Sequence, residues 1–107
     1  MGDVSKDTLI IEYTLQQAIA DGVLVEVFKN RWQQLTHGKP IVATTHLFSE
    51  VSLAALLEIW NEYVAWRKNV MPTLPEEEQM FTTTMNGKKI WLIEDAQAFT
   101  MMYPEDY

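Results

Sequence analysis

The sequence predicts an α+β domain in which short N-terminal helices and one long helix pack on a C-terminal antiparallel β-meander, and three observations carry that prediction. Residues 52–70 keep an apolar stripe at helical spacing, residues 71–79 interrupt it with two prolines and three glutamates, and residues 81–103 alternate like strands around Asn86-Gly87. Helix-forming and strand-forming stretches are thus segregated along the chain, the usual sign of α+β rather than alternating α/β order.

Taken in order, Thr14 and Gln17 form a capping-box pattern, with Leu15, Ala18 and Ile19 on one side of the helix that follows and Gly22 where a left-handed residue ends it. Val23–Phe28 is β-branched and short, so it reads as a strand, with Val23, Val25 and Val27 on one face. The stretch 30–39 places Trp32 and Leu35 three apart and suits one or two helical turns stopped at Gly38. Residues 41–48, IVATTHLF, fit either a brief strand or the entry to another helix, and periodicity does not separate the two.

Ser52–Val70 is the clearest helix. Leu53, Leu56, Leu57, Trp60, Tyr63, Val64 and Arg67 follow its stripe, Ser52 caps its start, and Arg67 and Lys68 suit the negative end of its dipole. Pro72 and Pro75 forbid its continuation, which makes 71–79 the connecting loop.

Asn86-Gly87 predicts a two-residue hairpin, because both residues tolerate the positive φ of a type I′ turn. That loop fixes the register: Met85 opposite Lys88, Thr83 opposite Ile90, Phe81 opposite Leu92, and Thr82 opposite Trp91 on the alternate face. A four-residue return at 94–97 would set Phe99 beside Leu92 and Met101 beside Ile90. One sheet face then carries Phe81, Met85, Ile90, Leu92, Phe99, Met101 and Tyr103, for the long helix to cover. The other is mixed, with Thr82, Thr84, Lys89, Trp91, Ile93, Thr100 and Met102. Either another element of the same domain covers this second face, or it is a partner-binding patch centred on Trp91, with Met102, Thr82 and Ile93 around it. Val23–Phe28 would add a fourth strand.

Length and composition bound the rest. A chain of 107 residues, 48% of them hydrophobic, has material for one core, and the expectation is a single domain over 1–107 with residues 1–12 flexible. The absence of cysteine removes disulfides, thiolate metal sites and thiol catalysis, and fits a cytoplasmic protein. No secretory leader and no membrane-length apolar run are read in the sequence. A net charge of −7 argues against direct nucleic-acid binding. The charge is uneven: residues 28–46 hold Lys29, Arg31 and Lys39 with no acid, an island of opposite sign.

Enzyme motifs are missing. The chain shows no nucleophile elbow, phosphate-cradling glycine loop, H-E-x-x-H pair or calcium loop. His37 and His46 are nine residues apart across Gly38 and Pro40, close enough to meet over a turn, and Glu50 follows His46 by one helical turn. Two such pairs would make a metal site and one does not, so no metal or cofactor is assigned, with His46 and Glu50 as the candidate ligands. Glu58 and Glu62 lie on the polar flank of the long helix and read as a solvated face.

Residues 13–27, YTLQQAIADGVLVEV, resemble the N-terminal signature of a family of small bacterial proteins carried on plasmids, phages and integrative elements, approximately Y-T/S-x-x-Q-A-I-x-D-G-V-L-V-D-V. Pro40–Thr44 is similar to that family's Pro-Val-Ala-Val-Thr segment, and Pro104-Glu105-Asp106 to its acidic ending. Glu26 departs from the common Asp, and the long helix departs from the family's tryptophan-bearing middle. The resemblance implies a mobile-element origin and no catalytic residue.

The leading expectation is therefore a non-enzymatic protein-interaction module with a protein partner, acting through the Trp91 and Met102 face or as a homodimer through an edge strand. The alternative is an acidic surface that imitates nucleic acid and inhibits a host defence nuclease. A small-ligand or enzyme role comes third, and it requires a concave polar site near Tyr13, His37 or His46.

Overall fold

The computed structural model describes residues 14–107; the stretch 1–12 expected to be flexible, and Tyr13, lie outside the described residues. Helix α1 (Leu15–Ala20) begins as its capping box requires. Thr14 Oγ1 accepts from the Gln17 amide at 3.1 Å and Gln17 Oε1 accepts from the Thr14 amide at 3.2 Å. Gly22 takes φ +77° and releases the chain into β1 (Leu24–Glu26), shorter than the six residues expected. The strand ends early because Phe28 adopts a left-handed conformation, φ 56°, and Val27 turns into the core. A 3₁₀ turn (Lys29–Arg31) and α2 (Trp32–Thr36) follow, with His37 left-handed just before Gly38.

The ambiguous stretch at 41–48 resolves into both readings, one after the other. Ile41–Thr44 is β2, buried on every residue, and Thr44 then caps α3 (Thr45–Glu50). Helix α4 (Leu53–Asn69) starts at the expected Ser52 cap, whose Oγ accepts from the Ala55 amide at 3.1 Å. Its buried face is rotated from the expected stripe. Leu56, Ile59, Trp60 and Tyr63 are buried, whereas Leu53 and Val64 stand 55% and 45% exposed. The first turns of α4 are apolar nearly all round, so spacing alone did not single out the face that meets the sheet.

The loop at 71–79 is built from two 3₁₀ turns, Met71–Thr73 and Glu76–Glu78, tied together by Gln79, whose Nε2 donates to the carbonyls of Met71 (3.2 Å) and Leu74 (3.0 Å). Then come β3 (Phe81–Met85), β4 (Lys88–Glu94) and β5 (Phe99–Met102), closed by a last 3₁₀ turn, Pro104–Asp106. The hairpin register is the predicted one, with Asn86 and Gly87 both at positive φ. The β4–β5 register is displaced by two residues: Phe99 faces Glu94 and Met101 faces Leu92. The cause is the turn. Strand β4 runs on to Glu94, and Asp95 Oδ1 accepts from the amides of Gln97 (2.7 Å) and Ala98 (2.9 Å), making a tighter reversal one step later. A shift of two preserves the faces, so the partition of side chains survives.

Among the described residues five strands, not three or four, form one sheet in the order β1-β2-β5-β4-β3, mixed because β2 runs parallel to β5 while every other pair is antiparallel. The main core lies between α4 and one sheet face, where Trp60 meets Phe99 edge to face at 5.1 Å and Tyr63 meets Phe81 at 5.5 Å. Among the described residues the second face is covered only in part. Ala18 of α1 and Val42, Ala98 and Met102 are buried outside that core, and the Leu15 amide donates to Gln97 Oε1 at 3.1 Å, which seats α1 beside the β4–β5 turn. Among the described residues no helix is long and apolar enough to cross a membrane, and no buried side-chain polar atom lacks a partner.

Candidate functional site

Strand β4 outruns β3. Phe81, the first residue of β3, lies opposite Leu92, so among the described residues Ile93 and Glu94 have a strand neighbour only on the β5 side. The chain before Phe81 bends away into the 71–79 turns, and the gap becomes a slot of about 480 Å³ at the sheet edge. Trp66 and Tyr63 of α4, Met71, Gln79 and Met80 of the loop, Trp91 and Ile93 of β4, and Tyr107 line it. Tyr107 meets Trp91 edge to face with ring centroids 5.9 Å apart, and Met80 is 42% exposed. Gln79 fixes the loop wall, while Trp66 is held against Phe81 at 5.5 Å. An apolar, aromatic concavity on rigid strands, rimmed by polar groups, is the form taken by sites that receive another molecule's side chains.

Of the four residues expected on this face, Trp91 and Ile93 line the slot, both half-buried. Thr82, the cross-strand neighbour of Trp91, is exposed beside it. Met102, the other neighbour, is only 9% exposed and backs Trp91 instead of offering surface. Met71, Gln79, Met80 and Tyr107 were not foreseen. They come from a loop and from the last turn, where no periodicity marks a side chain's direction.

The His46–Glu50 pair forms as spaced, at 3.4 Å between Nε2 and Oε2, but it belongs to a cluster that pins the last turn to α3. His46 Nδ1 lies 3.0 Å from Asp106 Oδ1, Thr44 Oγ1 donates to Asp106 Oδ2 at 2.9 Å, and the Tyr103 hydroxyl donates to Glu50 Oε1 at 2.7 Å. Lys88 Nζ reaches the same Glu50 oxygen at 3.2 Å. The hydrogen bond to Asp106 holds the His46 imidazole above its ordinary pKa, and the Tyr103 hydroxyl, with Lys88, holds Glu50 below the usual carboxylate range. Burial pushes Asp106 up, but the bonds from His46 and Thr44 outweigh it and keep it low. Burial and the Glu50 charge push Tyr103 to about 12. Each imidazole nitrogen faces a different carboxylate, so the lone pairs do not converge on one point, and among the described residues no three His, Cys, Asp or Glu side chains are placed to hold a metal ion.

His37 lines a separate concavity of about 430 Å³ with Lys39, Trp60, Tyr63, Arg67, Lys68 and Glu94. A concave polar site near His37 therefore exists. Glu94 on its wall is bonded to Lys39 (3.0 Å) and Arg67 (3.1 Å) and receives the Tyr63 hydroxyl at 3.5 Å. Glu58 and Glu62 are exposed, and Glu62 Oε1 accepts from Thr83 Oγ1 at 2.8 Å.

Fold and site together define a small α+β domain with an apolar slot at its sheet edge and no metal-binding cluster among the described residues. No protein-family model, curated protein or solved structure matches the chain.

Proposed function

We propose that this chain works by protein contact, taking an apolar side chain of a partner into the slot beside Trp91, and that it performs no chemistry of its own. The observation that carries this reading is the slot itself, with Trp91, Ile93, Met80 and Tyr107 gathered where β4 extends past β3. Glu76, Glu77 and Glu78 stand exposed on the turn immediately before Gln79 and Met80, and acidic charge next to the loop wall favours a partner segment with basic residues around its apolar anchor. The resemblance of residues 13–27 supports a mobile-element setting, in which the partner is a host protein. Pull-down from host lysate with the wild-type chain and with Trp91→Ala tests it. Proteins retained by the first and lost by the second are expected; recovery of the same proteins by both would sink the proposal.

The acidic nucleic-acid mimic draws support from the three successive exposed glutamates. It loses Glu26, Glu50, Glu94 and Asp106 to internal ion pairs. Partner binding that collapses with salt yet ignores Trp91→Ala would favour it.

A further inference from the structure

The basic island at 28–46 plays no part in the Trp91 slot and faces a different concavity at the other end of α4. A groove of about 490 Å³ runs between the 28–31 turn and the start of α4, with Phe28, Leu35, Leu53 and Leu57 as its apolar lining and Lys29 and Arg31 on its rim. No acid among the described residues lines it. Leu53, the first residue of α4, is 55% exposed there, although nothing about starting a helix requires a leucine at that position.

The groove is held open by the backbone. Phe28 sits at φ 56°, a left-handed conformation rare for a bulky side chain. The Arg31 amide closes the turn on the Phe28 carbonyl at 2.8 Å, and Trp32 Nε1 anchors it on the Val27 carbonyl at 2.7 Å. Lys29 reaches Glu26 at 3.4 Å from an open position. Arg31 uses only Nε, on Gln34 Oε1 at 3.3 Å, so its two terminal guanidinium nitrogens have no acceptor among the described residues. A preformed apolar groove beside a guanidinium with its fork free matches one chemistry well, apolar side chains accompanied by a carboxylate.

The geometry points to a second docking surface here, for an acidic amphipathic segment of a partner protein, whose apolar side chains enter between Phe28 and Leu53 while a carboxylate pairs with Arg31. A chain of net charge −7 repels such a segment elsewhere, so its landing place has to be locally basic, and residues 28–46 are where acids are missing. This surface is independent of the Trp91 reading and has the opposite sign of charge.

Two fluorescein-labelled helical peptides test it by anisotropy against the full chain. They share one length and one leucine pattern, with Glu at the remaining positions in the first and Lys in the second. The Glu peptide should bind about ten-fold more tightly, and Arg31→Glu or Leu53→Glu should each weaken it about ten-fold while Trp91→Ala leaves it unchanged. A glutamate in the first turn of α4 suits the positive end of the helix, so Leu53→Glu should fold, and an unchanged thermal midpoint verifies this. Equal binding of both peptides, or binding indifferent to both groove variants, overturns the proposal. Self-association of the chain that depends on Arg31 overturns it too, because it would give the groove to a second copy.

Discussion

Thr44 ends β2, caps α3 and meets the last turn, so removing its hydroxyl should be felt by three elements at once. Its Oγ1 accepts from the Leu47 amide at 3.2 Å and donates to Asp106 Oδ2 at 2.9 Å, and the residue is 7% exposed. Thr44→Val keeps the shape and the strand preference and deletes both bonds. Loss of the cap costs about 1 kcal/mol, and loss of the second, partly buried hydrogen bond about 1 kcal/mol more. With a urea slope of about 1.5 kcal/mol per molar, the roughly 2 kcal/mol total lowers the unfolding midpoint by about 1.3 M. Ser52→Ala is the comparison. Ser52 Oγ caps α4 through the Ala55 amide alone and is exposed, so its removal should cost about half as much. Thr44→Ser should retain most of the wild-type midpoint. Equal midpoints for Thr44→Val and Ser52→Ala would refute the reasoning, because the bond to Asp106 would then contribute nothing.

Three further outcomes follow from the same geometry. Ile59→Ala, at a fully buried position of α4, should cost about 2–5 kcal/mol in urea denaturation, whereas Leu53→Ala should stay within about 0.5 kcal/mol; similar costs would mean that the helix faces the sheet differently. Gly87→Ala puts a methyl group into open space at φ +80°, so its cost of about 1 kcal/mol is conformational, and an unchanged or higher thermal midpoint would argue against the positive-φ hairpin. For pH, the raised pKa of His46 means that its contribution is full below its ordinary 6.5 and is lost as pH rises through the folded value. Glu50 and Asp106, both lowered, contribute above their ordinary 4.5 and 3.8 and lose that contribution as pH falls through the folded values. His46→Gln should therefore flatten the stability profile above about pH 6.5, with a small amplitude because the imidazole is exposed; a variant profile parallel to the wild type there would contradict the pairing.

The parts of this fold legible in the sequence are those set by neighbouring residues. The capping box at Thr14 and Gln17, the cap at Ser52 and the Asn86-Gly87 hairpin are local chemistry, and each stands where its residues require. What depends on distant pairing was not legible. Strand β2 lies parallel to β5 across more than fifty residues of chain, and the β4–β5 register follows from the side chain of Asp95, which a count of turn residues misses. The site divides the same way. Trp91 and Ile93 were found because β4 alternates, but Met80 and Tyr107 reach the slot from irregular segments. His46 and Glu50 were found by helical spacing, while Asp106, the second partner of His46 and sixty residues on from it, carries no such mark.

The central claim is that a partner protein enters the slot beside Trp91, and photo-crosslinking tests it most directly. A photoreactive side chain is placed at position 80 on the slot rim in one form of the chain, and at position 58 on the solvent face of α4 in another. On irradiation in host lysate, the first form should give a discrete heavier adduct that disappears when Trp91→Ala is added, and the second should not. Adducts of equal yield from both positions, or an adduct at position 80 that survives Trp91→Ala, would contradict the account.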